Sequence, residues 1–398
     1  PAMKTYQEIN ERIASGKAVV MTAEEVSGYV DRKGLDAAAE EIDVVTTATF
    51  GPMCSSGCFL NFGHSAPKIR ITEAWLDDVP VYCGMAAVDA YLGATELRHN
   101  DPANIEFPGA FRFGGGHVIE RLVSGREVQL FALSYGTQDY PRRELRTYLT
   151  IDDLNQAVMV NPRNCYQNYN VAINRSDRTI YTYLGKLKPH MENCTYSSAG
   201  ALSPLLNDPF YETIGVGTRV WLAGAHGHVY SQGTQHAPTC DRTENGVPAE
   251  GAGTLALTGD MKSMKSRYVR AVSLIGYGVS LALGVGIPIP VLSPEILRRT
   301  TVSDDQITAS VIDYSEDYPS RSSNVVERVT YGELRSGSVE IEGRTVRVGS
   351  LSSYAMAAEI AEILAEEIRA SAFLVTEPIE PLPREGSMHT LDIREPAT

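Results

Sequence analysis

The hydrophobic pattern is clearest in the last fifth of the chain. Met356, Ile360, Ile363, Leu364 and Ile368 recur at helical spacing, with Glu359, Glu362, Glu366 and Glu367 on the other side. That stripe predicts an amphipathic helix. Before it, Val339–Ile341 and Thr345–Val348 flank Glu342-Gly343 and read as a hairpin. At the other end, Thr5-Tyr-Gln-Glu8 is a capping box and Gly16 a helix stop. Ala18–Met21 is a short apolar run, Thr22-Ala-Glu-Glu25 caps a second helix, Leu35–Glu41 is helical and Ile42–Thr49 is a strand. Such alternation predicts an α/β unit.

The middle is richer in strands. Ile69–Leu76 and Val79–Tyr82 predict a hairpin about Asp77-Asp78, and Ala86–Leu92 reads as a helix. Val118–Val123 is a helix ended by Gly125, and Val128–Ser134 and Leu145–Thr150 are strands. Thr150-Ile-Asp-Asp153 carries a cap and first-turn acids and predicts a helix start. Val216–Leu222 and His228–Ser231, split by Gly224–Gly227, form another strand pair, and Gly253–Thr258 adds one more. Ala271–Leu292 has no charged side chain and could span a bilayer by length. Its four glycines and two prolines point instead to a short helix, a buried strand and a proline-rich turn. Asp304–Arg328 is polar and reads as a boundary.

These elements predict a mixed α/β fold with a sheet-centred core and a smaller C-terminal helix-and-hairpin unit. The expected division is a catalytic core at 1–300, with subdomains at 1–150 and 151–300. A unit at 301–383 and a disordered tail at 384–398 follow. The length of 398 residues suits two or three packed units. A net charge of −14 argues against nucleic acid or an anionic membrane as partner. Six cysteines without paired CxxC spacing suit neither a disulfide scaffold nor structural zinc. The expectation is a cytoplasmic homo-oligomer with no resident metal.

The segment from Asp43 to Cys58 offers the first candidate chemistry. A β-branched run stops at Gly51-Pro52, and Cys54 follows with Ser55, Ser56 and Gly57. Strand ends place side chains at a sheet rim, where ligands bind in open α/β folds. A helix starting at Ser55 would put Cys54 and Cys58 on one side near its positive end. An unperturbed thiol is only about 3% ionised at pH 7. A helix N-terminus can lower its pKa to about 3.5–7.5. The alternative is that both are small buried hydrophobes.

A second cluster, Asn161–Tyr169, gathers Arg163, Asn164, Cys165, Gln167 and Asn168 after the expected helix. Arg163 could grip a carboxylate in bidentate fashion; a polar turn satisfying its own backbone is the alternative. A third group joins Gly215-Val-Gly-Thr218-Arg219 to Gly233-Thr-Gln-His236. Arg219 could pair a carboxylate and His236 could shuttle a proton, or both are structural. The catalytic candidates are thus Cys54, Cys58, Cys165 and His236. The substrate-binding candidates are Arg163, Asn164, Arg219, Thr218, Ser55 and Ser56. His226 and His228 share a strand face but lack an evident acidic partner, and Gly114-Gly-Gly-His117 could form an anion nest or a flexible turn.

These pieces resemble one family. Thr49–Gly57, Asn61–His64, Ala87–Thr95, Asn161–Asn164, Asn207–Pro209, Ile214–Arg219, Gly233–His236 and Gly286–Pro290 are similar to the homocysteine biosynthesis family of methanogens and other anaerobes, described as L-aspartate semialdehyde sulfurtransferase. The resemblance runs from about residue 4 to Pro383. It implies sulfur transfer onto an aldehyde to give a thiol such as homocysteine, with Cys54 at the motif position as a persulfide or thiohemiacetal. The partners implied are a small aldehyde or carboxylate and a sulfur donor. For electrons it leaves open an iron–sulfur cluster or an external ferredoxin-type protein. The family pattern often has a second cysteine where this chain has Asp139, which puts a two-cysteine relay in question or passes the role to Cys58 or Cys165. Two other readings stand beside it: sulfur incorporation in a secondary pathway, giving a thiol or thiocarboxylate, and a non-catalytic sulfur or iron–sulfur carrier.

Overall fold

The computed structural model describes residues 4–320 and 325–396. Its largest element is a ten-stranded sheet. The strand order is Val20–Thr22, Val44–Pro52, Gly278–Pro290, Arg219–Leu222, Ala225–Gln232, Leu255–Asp260, Gln156–Asn164, Gly57–Asn61 and Asp89–Gly93. Val269–Leu274 adds to the Gly278–Pro290 strand. The first pair is parallel and its other pairings are antiparallel.

This sheet is strongly curled, and the chain length proves it. Val44–Pro52 is second in the order and Gly57–Asn61 eighth. Laid flat, six strand spacings would separate them by about 29 Å. The five residue steps from Pro52 to Gly57 reach at most about 18 Å. The two ends of the sheet are therefore drawn toward each other, and the turn holding Cys54 crosses the seam. Helix Gly115–Val123 closes the same seam. A Cβ on Gly115 would collide with the Gly93 carbonyl, and one on Gly116 with the Ser280 carbonyl, so its first turn wedges between the two edges. The Gly114–Gly116 run is close packing, not an anion nest. His117 Nδ1 accepts the Gly114 N–H at 3.2 Å and caps the helix.

The Gly278–Pro290 strand is buried along its whole length. Of the short helix, buried strand and proline-rich turn expected at 271–292, the buried strand forms and runs on through both prolines, while the expected helix is instead the antiparallel strand Val269–Leu274. The amphipathic helix Tyr354–Arg369 lies across Val44–Pro52 and Gly278–Pro290. Gly284 and Gly286 permit that approach: added Cβ atoms would lie 2.8 and 3.2 Å from Ile360. No helix among the described residues is long and apolar enough to cross a membrane.

A six-stranded sheet runs Val325–Thr330, Thr308–Asp313, Val171–Ile173, Asn193–Tyr196, Arg344–Ser350 and Ser338–Ile341, over its own apolar cluster. The Glu342-Gly343 hairpin belongs here, whereas the following helix packs on the large sheet. The polar stretch expected as a boundary supplies Thr308–Asp313; its residues 321–324 lie outside the described residues. A four-stranded sheet holds the Asp77-Asp78 hairpin and the strands Val128–Leu133 and Glu144–Leu149.

Two further expectations are corrected. Ala86–Leu92 contributes the strand Asp89–Gly93, not a helix, because its alternate residues Ala90 and Leu92 are buried against Gly57–Asn61. The cap at Thr150 starts only a single turn, Ile151–Asp153, before the strand Gln156–Asn164. Both capped N-terminal helices form, as Tyr6–Ala14 and Ala23–Lys33. Residues 384–396 carry no helix or strand.

Candidate active site

The seam fixes the Cys54 turn from both sides. Met53 N–H donates to the Leu281 carbonyl at 2.8 Å, and Ala94 N–H donates to the Ser56 carbonyl at 2.8 Å. Ser56 is buried; its hydroxyl donates to the Met53 carbonyl at 2.7 Å and accepts from Asn161 Nδ2 at 3.0 Å. Asn161 is also buried, and its Oδ1 accepts the Arg163 N–H at 3.2 Å. Ser55 Oγ donates to the Arg163 carbonyl at 3.3 Å. One buried amide and two hydroxyls thus couple the cysteine turn to the strand end that carries Arg163. Buried polar groups satisfied this fully set one geometry.

Cys54 is partly exposed and opens onto a cavity of about 290 Å³. Arg163, Tyr166 and Tyr169 form one wall, Tyr183 and Tyr277 another, and Ser197 and Leu351 reach in from the six-stranded sheet. The cavity therefore lies where the two sheets meet. Among the described residues no carboxylate pairs with Arg163; its guanidinium carbon lies 6.0 Å from the Tyr166 ring centre. The tyrosines form a hydroxyl chain, Tyr169 to Tyr183 at 2.6 Å and Tyr183 to Tyr314 at 3.0 Å. Burial pushes the Tyr166 phenol up to about 12, with Arg163 pulling the other way. Burial and its tyrosine neighbours push Tyr183 still higher. At neutral pH Tyr166 and Tyr183 therefore present hydroxyls, not phenolates.

Several predicted residues fall elsewhere. No helix starts at Ser55; a turn leads into the strand Gly57–Asn61, and Cys58 faces the opposite way into the core. Burial pushes the Cys58 thiol up to about 12. Cys165 is buried outside the cavity lining, and burial raises its thiol further. Neither is placed to act with Cys54. His236 is buried with both ring nitrogens engaged: Nδ1 accepts the Thr254 N–H at 3.0 Å and Nε2 faces the Pro383 carbonyl at 2.8 Å. Both nitrogens are taken by backbone groups, so His236 clamps its loop and lies outside the cavity lining. Asn164 Oδ1 accepts the Cys165 N–H at 2.6 Å, outside the cavity.

Thr218 and Arg219 lie on a different part of the sheet. Thr218 Oγ1 accepts the Gly215 N–H at 2.9 Å, and Arg219 stacks 5.8 Å from the Phe373 ring centre. His226 pairs with Glu367 at 2.9 Å. Asp139 sits in the loop after Val128–Leu133, outside the cavity lining. Among the described residues no three His, Cys, Asp or Glu side chains gather. Sequence reasoning missed Asn161, Tyr166, Tyr169, Tyr183, Gln235 and Tyr277. Asn161 and the first two tyrosines stand inside the Asn161–Tyr169 cluster, and Gln235 adjoins His236. Tyr183 and Tyr277 carried no signal.

Residues 18–375 match the family described as homocysteine biosynthesis enzyme, sulfur-incorporation. The chain belongs to this family. It is an enzyme of the sulfurtransferase type acting in homocysteine biosynthesis. Two curated relatives are named L-aspartate semialdehyde sulfurtransferase. That of Methanosarcina acetivorans is 48% identical over 98% of this chain and 74% of its own length. That of Methanocaldococcus jannaschii is 45% identical over 96% of this chain and 74% of its own. An uncharacterized protein of Methanothermobacter thermautotrophicus is 30% identical over 83% of this chain. No solved structure matches. The seam cavity brings together a partly exposed thiol, the Arg163 guanidinium and tyrosine hydroxyls.

Proposed function

We propose that this chain transfers sulfur onto the aldehyde carbon of L-aspartate semialdehyde, through a persulfide on Cys54, to give homocysteine. The observation that carries the proposal is that Cys54, of the six thiols, is the one lining the cavity that also holds Arg163. A sulfur donor passes sulfane sulfur to the Cys54 thiolate, which displaces the donor's thiolate without net redox change. Arg163 holds the substrate carboxylate and so aims the aldehyde at the turn. The terminal sulfur then attacks the aldehyde carbon.

The balance requires four electrons from sulfane sulfur: two cleave the S–S bond, and two take the carbon from the aldehyde to the thiol level. Water leaves with the former aldehyde oxygen. A resolving thiol beside Cys54 would supply a pair by closing a disulfide. Cys58 and Cys165 are buried away from the cavity, which favours a reductant from outside, of the ferredoxin type. Mass spectrometry after incubation with a persulfide donor tests the reading. One added sulfur on Cys54, and loss of homocysteine formation in Cys54→Ser, are expected. An unmodified Cys54, or full activity in the variant, overturns it. Turnover by the isolated chain with a chemical reductant separates this enzyme from a sulfur carrier.

A further inference from the structure

The loop after the strand Ala225–Gln232 is held on three sides, yet one side chain on it is left with work to do. Gly233 N–H donates to the Thr254 carbonyl at 2.8 Å, and Thr234 N–H donates to the Pro162 carbonyl at 2.8 Å, next to Arg163. His236 clamps the far side through Thr254 and Pro383. Gln235, between them, has a φ of 63°, in the left-handed region that non-glycine residues rarely adopt. Strain of this kind persists where the surroundings over-determine it, and clusters at functional sites. Its side chain lines the Cys54 cavity.

The orientation of the Gln235 amide is fixed as well. Tyr166 donates its hydroxyl to Gln235 Oε1 at 2.7 Å. With the carbonyl end taken, the NH₂ end carries two donors, and no acceptor among the described residues engages them. Tyr166 keeps its proton at neutral pH, so this arrangement holds through the working range.

We infer that the Gln235 amide, oriented by Tyr166, donates to the aldehyde oxygen as sulfur on Cys54 attacks the carbonyl carbon. This rests on the sulfur-transfer reading above and assigns Gln235 as a catalytic residue and Tyr166 as a positioning residue. In the step, the new bond joins the terminal sulfur to the carbon. The C=O π pair moves onto oxygen, which becomes an alkoxide, and a proton from solvent later neutralises it. No oxidant or reductant enters this step. A donor aimed where charge develops lowers the barrier without reorganising. Gln235 is solvent-exposed rather than sealed, which sets the effect near the low end for such donors, about 10²-fold in kcat.

The test uses the full chain with a low-molecular-weight persulfide, L-aspartate semialdehyde and titanium(III) as reductant. Gln235→Ala and the near-isosteric Gln235→Glu, which replaces the donors by a negative charge, are expected to lose about 10²-fold in kcat with KM changed less than threefold. Tyr166→Phe is expected to lose about tenfold, because its amide can flip. In all three, sulfur loading on Cys54 by mass spectrometry and the thermal midpoint should match the parent. Normal kcat in Gln235→Ala with Cys54 loaded overturns the assignment. A comparable rise in KM with kcat unchanged overturns it too, because the amide would then only bind substrate. Failure to load Cys54 in the parent would sink the sulfur-transfer reading itself, a distinct result.

Discussion

Alkylation of the native protein measures how far the thiols are segregated. Burial pushes the Cys58 thiol up to about 12, with only the Leu92 backbone opposing. At pH 8 such a thiol is ionised in about one molecule in 10⁴, whereas an ordinary peptide thiol near 8.5 is about one-quarter ionised. Ionisation alone therefore slows Cys58 about 2,000-fold relative to a free thiol, since the thiolate is the nucleophile. Its side chain is also wholly buried, so the fold must open first. Cys165 is pushed in the same direction, and Cys194 up to about 12, again by burial. A short iodoacetamide pulse at pH 8, followed by denaturation, heavy-isotope labelling and peptide mass mapping, ranks all six. Cys54 and the partly exposed Cys240 should take the first label, and the buried Cys58, Cys83, Cys165 and Cys194 the second. Cys58 or Cys165 reacting within tenfold of Cys54 would refute the reasoning, and with it the case for electrons from outside the chain.

Three other outcomes follow from the same geometry. Asn161→Ala removes one buried and one part-buried hydrogen bond and strands the Arg163 N–H, at a cost of about 2–4 kcal/mol. A urea midpoint that falls by less than 1 kcal/mol equivalent would remove the amide from its bridging role. Arg163→Ala should raise KM for the semialdehyde about 10–100-fold, as expected for a lost charged hydrogen-bond partner, while Cys54 still loads with sulfur. An unchanged KM would move the carboxylate elsewhere. His117 is held below the usual histidine range mainly by burial, helped by Arg98 and opposed by Glu120. Its unfolded form thus binds a proton first, and stability should fall as pH drops from about 6.5 toward the depressed folded value. Above that window the contribution is flat. In His117→Gln, thermal midpoints measured from pH 8 to 5 should lose this slope, and an identical profile would sink the assignment.

The elements readable from sequence were those whose cause is local. The helix Tyr354–Arg369 follows from apolar spacing, and the first two helices from Thr–Glu capping boxes. The turn at Asp77-Asp78 places both residues at positive φ, as a two-residue hairpin requires. Misreadings arose where the deciding contact is distant. Ala271–Leu292 carries no charged side chain, and periodicity cannot separate a buried strand from a helix in such a run. Only the packing of Ile360 and Leu364 over Gly284 and Gly286 explains why glycines occupy a central strand.

The site divides the same way. Cys54 at a strand end was legible because Gly51-Pro52 stops the run beside it. His236 looked like the chemical residue of its loop because imidazole titrates near neutrality. Its partners prove otherwise, and one of them, Pro383, lies 147 positions along the chain, where no local pattern could announce it. Clamping His236 is what holds Gln235 in a strained backbone facing the cavity. The loop therefore spends its titratable side chain on rigidity and presents a neutral amide to the substrate. The turn opposite follows the same rule. Ser56 and Asn161 are consumed in fixing Met53 and Arg163, and Cys54 stands at the opening as a free thiol among the described residues. Reactive groups here are the ones the fold leaves unsatisfied, and identifying them required knowing which neighbours the fold had already used.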